Sequence, residues 1–116
     1  MRKSPLPSLK KKGDFKTVFS SKKFAAGPQF SIHALKNHLG HNRLGIQAGK
    51  KVGNAVVRNR VRRLVKECCR LMTGELNPGF DIVIVARQSA GELALFGGFS
   101  GVDEQLQKLL VKIGLL

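Results

Sequence analysis

The spacing of apolar residues changes several times along this chain of 116 residues, and each change marks an element. Phe15, Val18 and Phe19 recur at i, i+3 and i+4, which predicts a short helix with Asp14 near its start. Gly27-Pro28 interrupts the chain. Phe30, Ile32 and Ala34 then alternate with Gln29, Ser31 and His33, the period of a strand. A turn over 37–42 leads to Leu44, Ile46 and Ala48, which alternate with Gly45, Gln47 and Gly49 in a second strand, expected antiparallel to the first. Gly53-Asn54 opens a helix to about Met72, with Asn54 as its N-cap. After the Asn77-Pro78-Gly79 turn, Phe80 to Arg87 reads as a buried strand. Residues 88–101, with four glycines, read as a loose loop, and Val102 to about Ile113 as an amphipathic helix with Leu106, Leu109, Leu110 and Ile113 inward.

These elements describe an α+β domain, a small sheet with helices gathered mainly on one face. The length suits one domain with a modest core. Residues 1–11, with two prolines and two serines, read as a basic mobile arm, and 12–116 as the single domain. In the long helix Val57, Val61, Leu64, Val65, Cys68, Leu71 and Met72 form an apolar stripe roughly 120° wide, which must face the core.

Charge alters this ordinary picture. The chain has 21 Lys and Arg against 7 Asp and Glu, a net charge of +14, so a polyanion is the expected partner. The bases are concentrated. Residues 1–23 hold eight against Asp14 alone, and residues 50–70 hold eight against Glu67 alone. Arg58, Arg62, Lys66 and Arg70 make an i, i+4 ridge widened by Arg60 and Arg63. Like charges at that spacing repel, by about 0.2–0.5 kcal/mol a pair. A solvated face would interleave acids; this one does not, and guanidinium suits phosphate because it can hold two oxygens at once. Residues 49–53 lack the order of a Walker A loop, so simple phosphate contact is the better reading.

A membrane is a poor alternative: no apolar run approaches the ~20 residues of a spanning helix, and Pro5 and Pro7 stand where a signal peptide would be apolar. Adjacent Cys68 and Cys69 suit neither a disulfide nor a zinc site, which points to a reducing, cytoplasmic setting. His33, His38 and His41 have no metal-ligand spacing, and no two acids are placed for a two-metal nuclease. No catalytic residue, metal site or protein-bound cofactor is expected. If Gly45, Gln47 and Gly49 share a face with Gln29, Ser31 and His33, that face is polar and shallow. Phe15 and Phe19 could wall it as a groove where single-stranded bases stack, or could equally belong to the core.

The ordered set of motifs resembles the protein subunit of bacterial ribonuclease P. Gly53-Asn54-Ala55-Val56-Val57-Arg58-Asn59-Arg60-Val61-Arg62-Arg63 is similar to that family's Arg-Asn-Arg signature. Asp14-Phe15 with Val18-Phe19, Arg43-Leu44-Gly45-Ile46 with Lys50-Lys51, and Asp81 to Arg87 match its other segments in order and spacing, from about Leu9 to Arg87. The resemblance implies a compact α-β sandwich with a small mixed sheet and a left-handed strand–helix–strand crossover over 43–87, where general rules favour the right-handed form. It implies a catalytic RNA, carrying magnesium ions, that removes the 5′ leader from precursor tRNA with no further protein partner required. By similarity Lys50, Lys51, Arg58, Asn59, Arg60, Arg62, Arg63 and Lys66 bind that RNA. Lys12, Phe15, Phe19, Phe30 and His33 map onto the cleft for the single-stranded leader. The family often has Ser where this chain has Gly49 and an aromatic where it has His33. The rivals are a ribosomal-type RNA-binding module, a DNA-compacting protein and a self-sufficient metal nuclease. The first two explain the charge without the ordered motifs.

Overall fold

The computed structural model describes residues 6–116. In chain order it has α1 (Lys12–Phe19), β1 (Lys23–Ala26), β2 (Phe30–Lys36), β3 (Arg43–Ala48), a 3-10 turn (Lys50–Val52) and α2 (Ala55–Met72). There follow β4 (Phe80–Ala86), a single helical turn α3 (Ala90–Glu92), a π turn (Leu93–Gly97) and α4 (Gly98–Lys112). The strands form one mixed sheet in the order β1-β2-β4-β3.

β4 lies at the centre, antiparallel to β2 and parallel to β3. β2 and β3 thus run antiparallel, as expected, but they are not neighbours, because β4 lies between them. A helix-length connection, α2, joins β3 to β4 and leaves them parallel, and the strand buried on both faces takes the middle of the sheet. One face carries Phe30, Ile32, Ala34, Ile82 and Ile84 against Val61 and Val65 of α2 and Leu106 and Leu110 of α4. The other carries Val83 under Val18 of α1, with Leu9 beside them. Helices thus cover both faces unequally, a sandwich with the larger core on the α2–α4 side. Full burial of each such aliphatic side chain contributes about 1.5–3 kcal/mol.

α2 begins where Asn54 predicts, and the Asn54 Oδ1 accepts the Val57 N–H at 3.0 Å, a cap worth about 1 kcal/mol. Its core stripe differs at one position. Leu71 is 41% exposed and Cys69 is buried instead. Both cysteines are free, and burial pushes their thiols up to about 12, so they stay protonated and unreactive at neutral pH.

Two further expectations need correction, and one element was missed. Residues 88–101 are not a loose loop: Ala90 and Ala94 are buried, and Gly97 and Gly101 leave room for the Leu93 side chain, so the small residues serve close approach rather than a bend. Residues 6–9, assigned to a mobile arm, are fixed along β3. The Leu44 N–H donates to the Pro7 carbonyl at 2.8 Å, the Leu9 N–H to the Leu44 carbonyl at 2.9 Å, and the Leu9 side chain is buried. Residues 1–5 of that arm lie outside the described residues. Finally β1 had no sequence signal, since Lys-Phe-Ala-Ala on a sheet edge buries only Ala25 and shows no alternation.

Candidate nucleic-acid interface

Strand register assembles the first surface. Phe24, His33, Val83 and Gly45 lie opposite one another across β1, β2, β4 and β3, and Ala26, Ser31, Val85 and Gln47 form the neighbouring row. The polar positions of β2 and β3 do share a face, although β4 runs between them. Strand alternation makes this so whichever strand intervenes.

α1 crosses that face. The Phe15 ring lies so close over Gly45 that a Cβ there would stand 2.6 Å from the ring Cζ; only glycine admits this contact. Between α1 and the sheet is a cleft of about 460 Å³, lined by Lys10, Lys12, Phe15, Lys16, Phe19 and Gln47. At the end of α1 the Phe19 ring meets His33 edge-on, with centroids 5.0 Å apart and planes at 84°. Phe24 stacks on His33 at 5.6 Å and 13° and is 57% exposed. Sequence reasoning missed Phe24, which sits in the unpatterned β1. Burial lowers the His33 imidazole below its ordinary value, and its Nδ1 has no hydrogen-bond partner among the described residues. At neutral pH it is an uncharged ring held between two others.

Phe30 is the exception among the candidate cleft residues. It is 1% exposed and sits on the opposite face, in the α2–α4 core. Positions 30 and 33 have opposite parity on one strand, so both cannot face the same groove. Phe30 is a core residue and does not line the cleft.

The second surface is α2 with the turn before it. Lys50, Lys51, Asn59, Arg60, Arg63 and Lys66 are exposed, while Arg58 and Arg62 are half-buried. The ridge has more internal relief than its sequence suggests. The Arg70 Nε donates to Glu67 Oε2 at 3.0 Å, and Arg62 donates to Asn59 Oδ1 and to the Ala48 carbonyl, each at 3.3 Å. The ion pairs found among the described residues are Arg43–Asp81, Arg70–Glu67 and Lys108–Glu104; none involves Arg60, Arg63 or Lys66. Those three cations remain available to an outside anion.

The two surfaces meet. A second depression of about 510 Å³ lies between residues 6–9, β3 and α2, with Arg62 and Lys66 on one side and Phe15 on the other. Phe15 is therefore a wall common to the aromatic cleft and the basic helix. Beyond it, Asp81 ties the sheet together. Arg43 donates to it through Nε at 2.8 Å and Nη2 at 2.7 Å, and Asn37 through Nδ2 at 2.9 Å. Burial pushes the Asp81 carboxyl up, but these hydrogen bonds and the Arg43 charge outweigh it and hold the group below the usual carboxylate range.

His38 and His41 are exposed in the β2–β3 turn. Among the described residues no three His, Cys, Asp or Glu side chains come together to hold a metal ion, and no helix is long and apolar enough to cross a membrane. Fold and surface define a class: a small α+β sandwich whose outward chemistry is cationic and aromatic.

Comparison with known proteins narrows that class. The family model for ribonuclease P matches residues 5–114. The chain is 42% identical over 103 residues to the ribonuclease P protein component of Clostridioides difficile, covering 88% of this chain and 87% of that one. To the corresponding protein of Thermoanaerobacter sp. it is 40% identical over 104 residues, with 90% and 86% covered. The solved ribonuclease P protein of Thermotoga maritima superimposes with a TM-score of 0.82 at 33% identity, covering 90% of this chain and 96% of that one. That of Staphylococcus aureus gives 0.83 at 28% identity, with 93% and 95% covered. The chain belongs to the ribonuclease P protein family. Membership entails association with an RNA partner in a ribonuclease P complex, and so a part in tRNA processing.

Proposed function

We propose that this protein binds a catalytic RNA through α2 and its approach, and holds the single-stranded 5′ leader of precursor tRNA in the α1–sheet cleft. The observation that carries this reading is the shared wall at Phe15, which sets a base-stacking surface directly beside a phosphate-binding one. Lys50, Lys51, Arg58, Asn59, Arg60, Arg62, Arg63 and Lys66 contact the RNA. Lys12, Phe15, Phe19 and His33, now joined by Phe24, line the path of the leader. Bond cleavage belongs to the RNA and the magnesium ions it carries. The protein contributes binding and orientation, neutralising phosphates that would otherwise need bulk cations. Its place of work is the cytoplasm, and it needs no other protein.

The test is reconstitution of precursor cleavage with RNA alone, protein alone and both, at low and moderate magnesium. Rescue at low magnesium by a protein inert by itself supports the reading. Cleavage by protein alone, or no rescue, overturns it. Two variants separate the surfaces. Arg60→Ala is expected to weaken assembly about 10-fold and reduce the slope of log affinity against log salt by about 0.7–0.9, the loss of one phosphate contact. Phe19→Ala is expected to weaken precursor binding by about 5-fold or more with mature tRNA unchanged; equal loss for both would remove the leader from this cleft.

A further inference from the structure

Another depression, of about 710 Å³, lies away from the cleft, outside the carboxyl ends of the parallel pair β3 and β4. Lys51, Arg87 and Glu92 line it, and Pro28, Val57 and Leu95 supply apolar surface. Its floor is rigid. The chain after β4 is pressed on the chain after β3 so closely that a Cβ on Gly91 would stand 2.4 Å from the Val52 carbonyl oxygen. Leu95 reaches it from the π turn Leu93–Gly97, a helical irregularity that is rare and frequently found at functional sites. That turn carries Leu95 and, next to it, Phe96, which at 85% is the most exposed large apolar side chain among the described residues. Phe96 is the next residue in the chain after Leu95, which lines the depression together with Lys51 and Arg87.

We propose that this depression is a second nucleotide site, in which an unpaired nucleotide of the partner RNA stacks its base on Phe96 and Leu95 and places its phosphate between Lys51 and Arg87. The chemistry is that of single-strand recognition in general: an aromatic face for the base, which any base satisfies, and a cation for the backbone. The position fits the RNA rather than the leader, because Lys51 continues directly into α2, whereas the leader cleft opens under α1 on the other face of the sheet. This inference rests on the reading that α2 binds RNA. It adds Arg87, Leu95 and Phe96, none of them on α2, to that interface.

Phe96→Ala tests it without threatening the fold, because the ring buries almost nothing. With the holoenzyme assembled from full-length protein and RNA, the variant is expected to lose about 5- to 100-fold in RNA affinity, while the preference for precursor over mature tRNA stays intact. Phe96→Trp should retain or exceed wild-type affinity. Arg87→Ala should lower the salt slope by about one phosphate contact. Wild-type RNA affinity in Phe96→Ala sinks the second site and leaves the α2 reading standing. A wild-type protein that fails to bind the RNA sinks both. If Phe96→Ala changes self-association in sedimentation but not RNA affinity, the patch is an interface between copies of this chain and the nucleotide site is wrong.

Discussion

Valine at position 45 is expected to abolish most of the discrimination between precursor and mature tRNA, about 10-fold or more, with affinity for the catalytic RNA changed only a few-fold. The Phe15 Cζ and Cε1 would lie 2.6 and 2.7 Å from any Cβ on residue 45, with the Leu9 Cβ 3.3 Å away on another side. The ring must therefore leave its position, and with it goes one wall of the α1–sheet cleft proposed for the leader. Valine favours strands, so the backbone does not object; the cost is overpacking, about 1–3 kcal/mol. The domain should remain folded, with a lowered midpoint in thermal melting. Gly45→Ala should show the same loss in weaker form. Undiminished discrimination in a folded Gly45→Val protein would separate Phe15 from leader binding altogether.

The largest stability effect is expected at Asp81, which is 8% exposed and accepts three hydrogen bonds from Arg43 and Asn37. Removing the carboxylate in Asp81→Ala leaves a half-buried guanidinium unpaired, at a cost of about 3 kcal/mol. The pH dependence has a definite sign. The folded carboxyl titrates below its unfolded value, so its contribution is complete above the unfolded pKa of about 3.9 and is lost as pH falls through the depressed folded value. Wild-type denaturant midpoints should therefore fall below about pH 4.5 more steeply than those of Asp81→Asn. Parallel curves for the two proteins would show that the Arg43–Asp81 pair does not draw on the ionised carboxylate.

α2 was legible almost to the residue because everything that defines it is local: a 3.6-residue stripe, an asparagine at the start and a cation ridge opposite. The strands were legible as strands but not as neighbours. Alternation divides Gln29–His33 and Gly45–Gly49 into faces, and those faces are as expected. It carries no information about which strand lies between them, since pairing is decided by contacts distant in sequence. Alternation also contained the correction to Phe30, whose parity with Ile32 and Ala34 sets it opposite His33; the resemblance to a family drew it into the cleft against its own spacing. Phe24 and Phe96 were invisible for a different reason. Each is an exposed aromatic in a segment without period, and nothing in a linear pattern marks a ring that faces water.

The three free cations of α2 have one more consequence, which concerns folding rather than recognition. Arg60, Arg63 and Lys66 repel one another in the compact state, and added electrolyte screens that repulsion within a Debye length of about 10 Å at 0.1 M. The same electrolyte competes for RNA phosphates and loosens the complex. Ionic strength therefore acts on the free chain and on the ribonucleoprotein with opposite signs. Conformational stability of the isolated protein is expected to rise with salt while assembly falls, which would set maximal complex formation at an intermediate concentration, where the domain is already firm and its counterions can still be displaced.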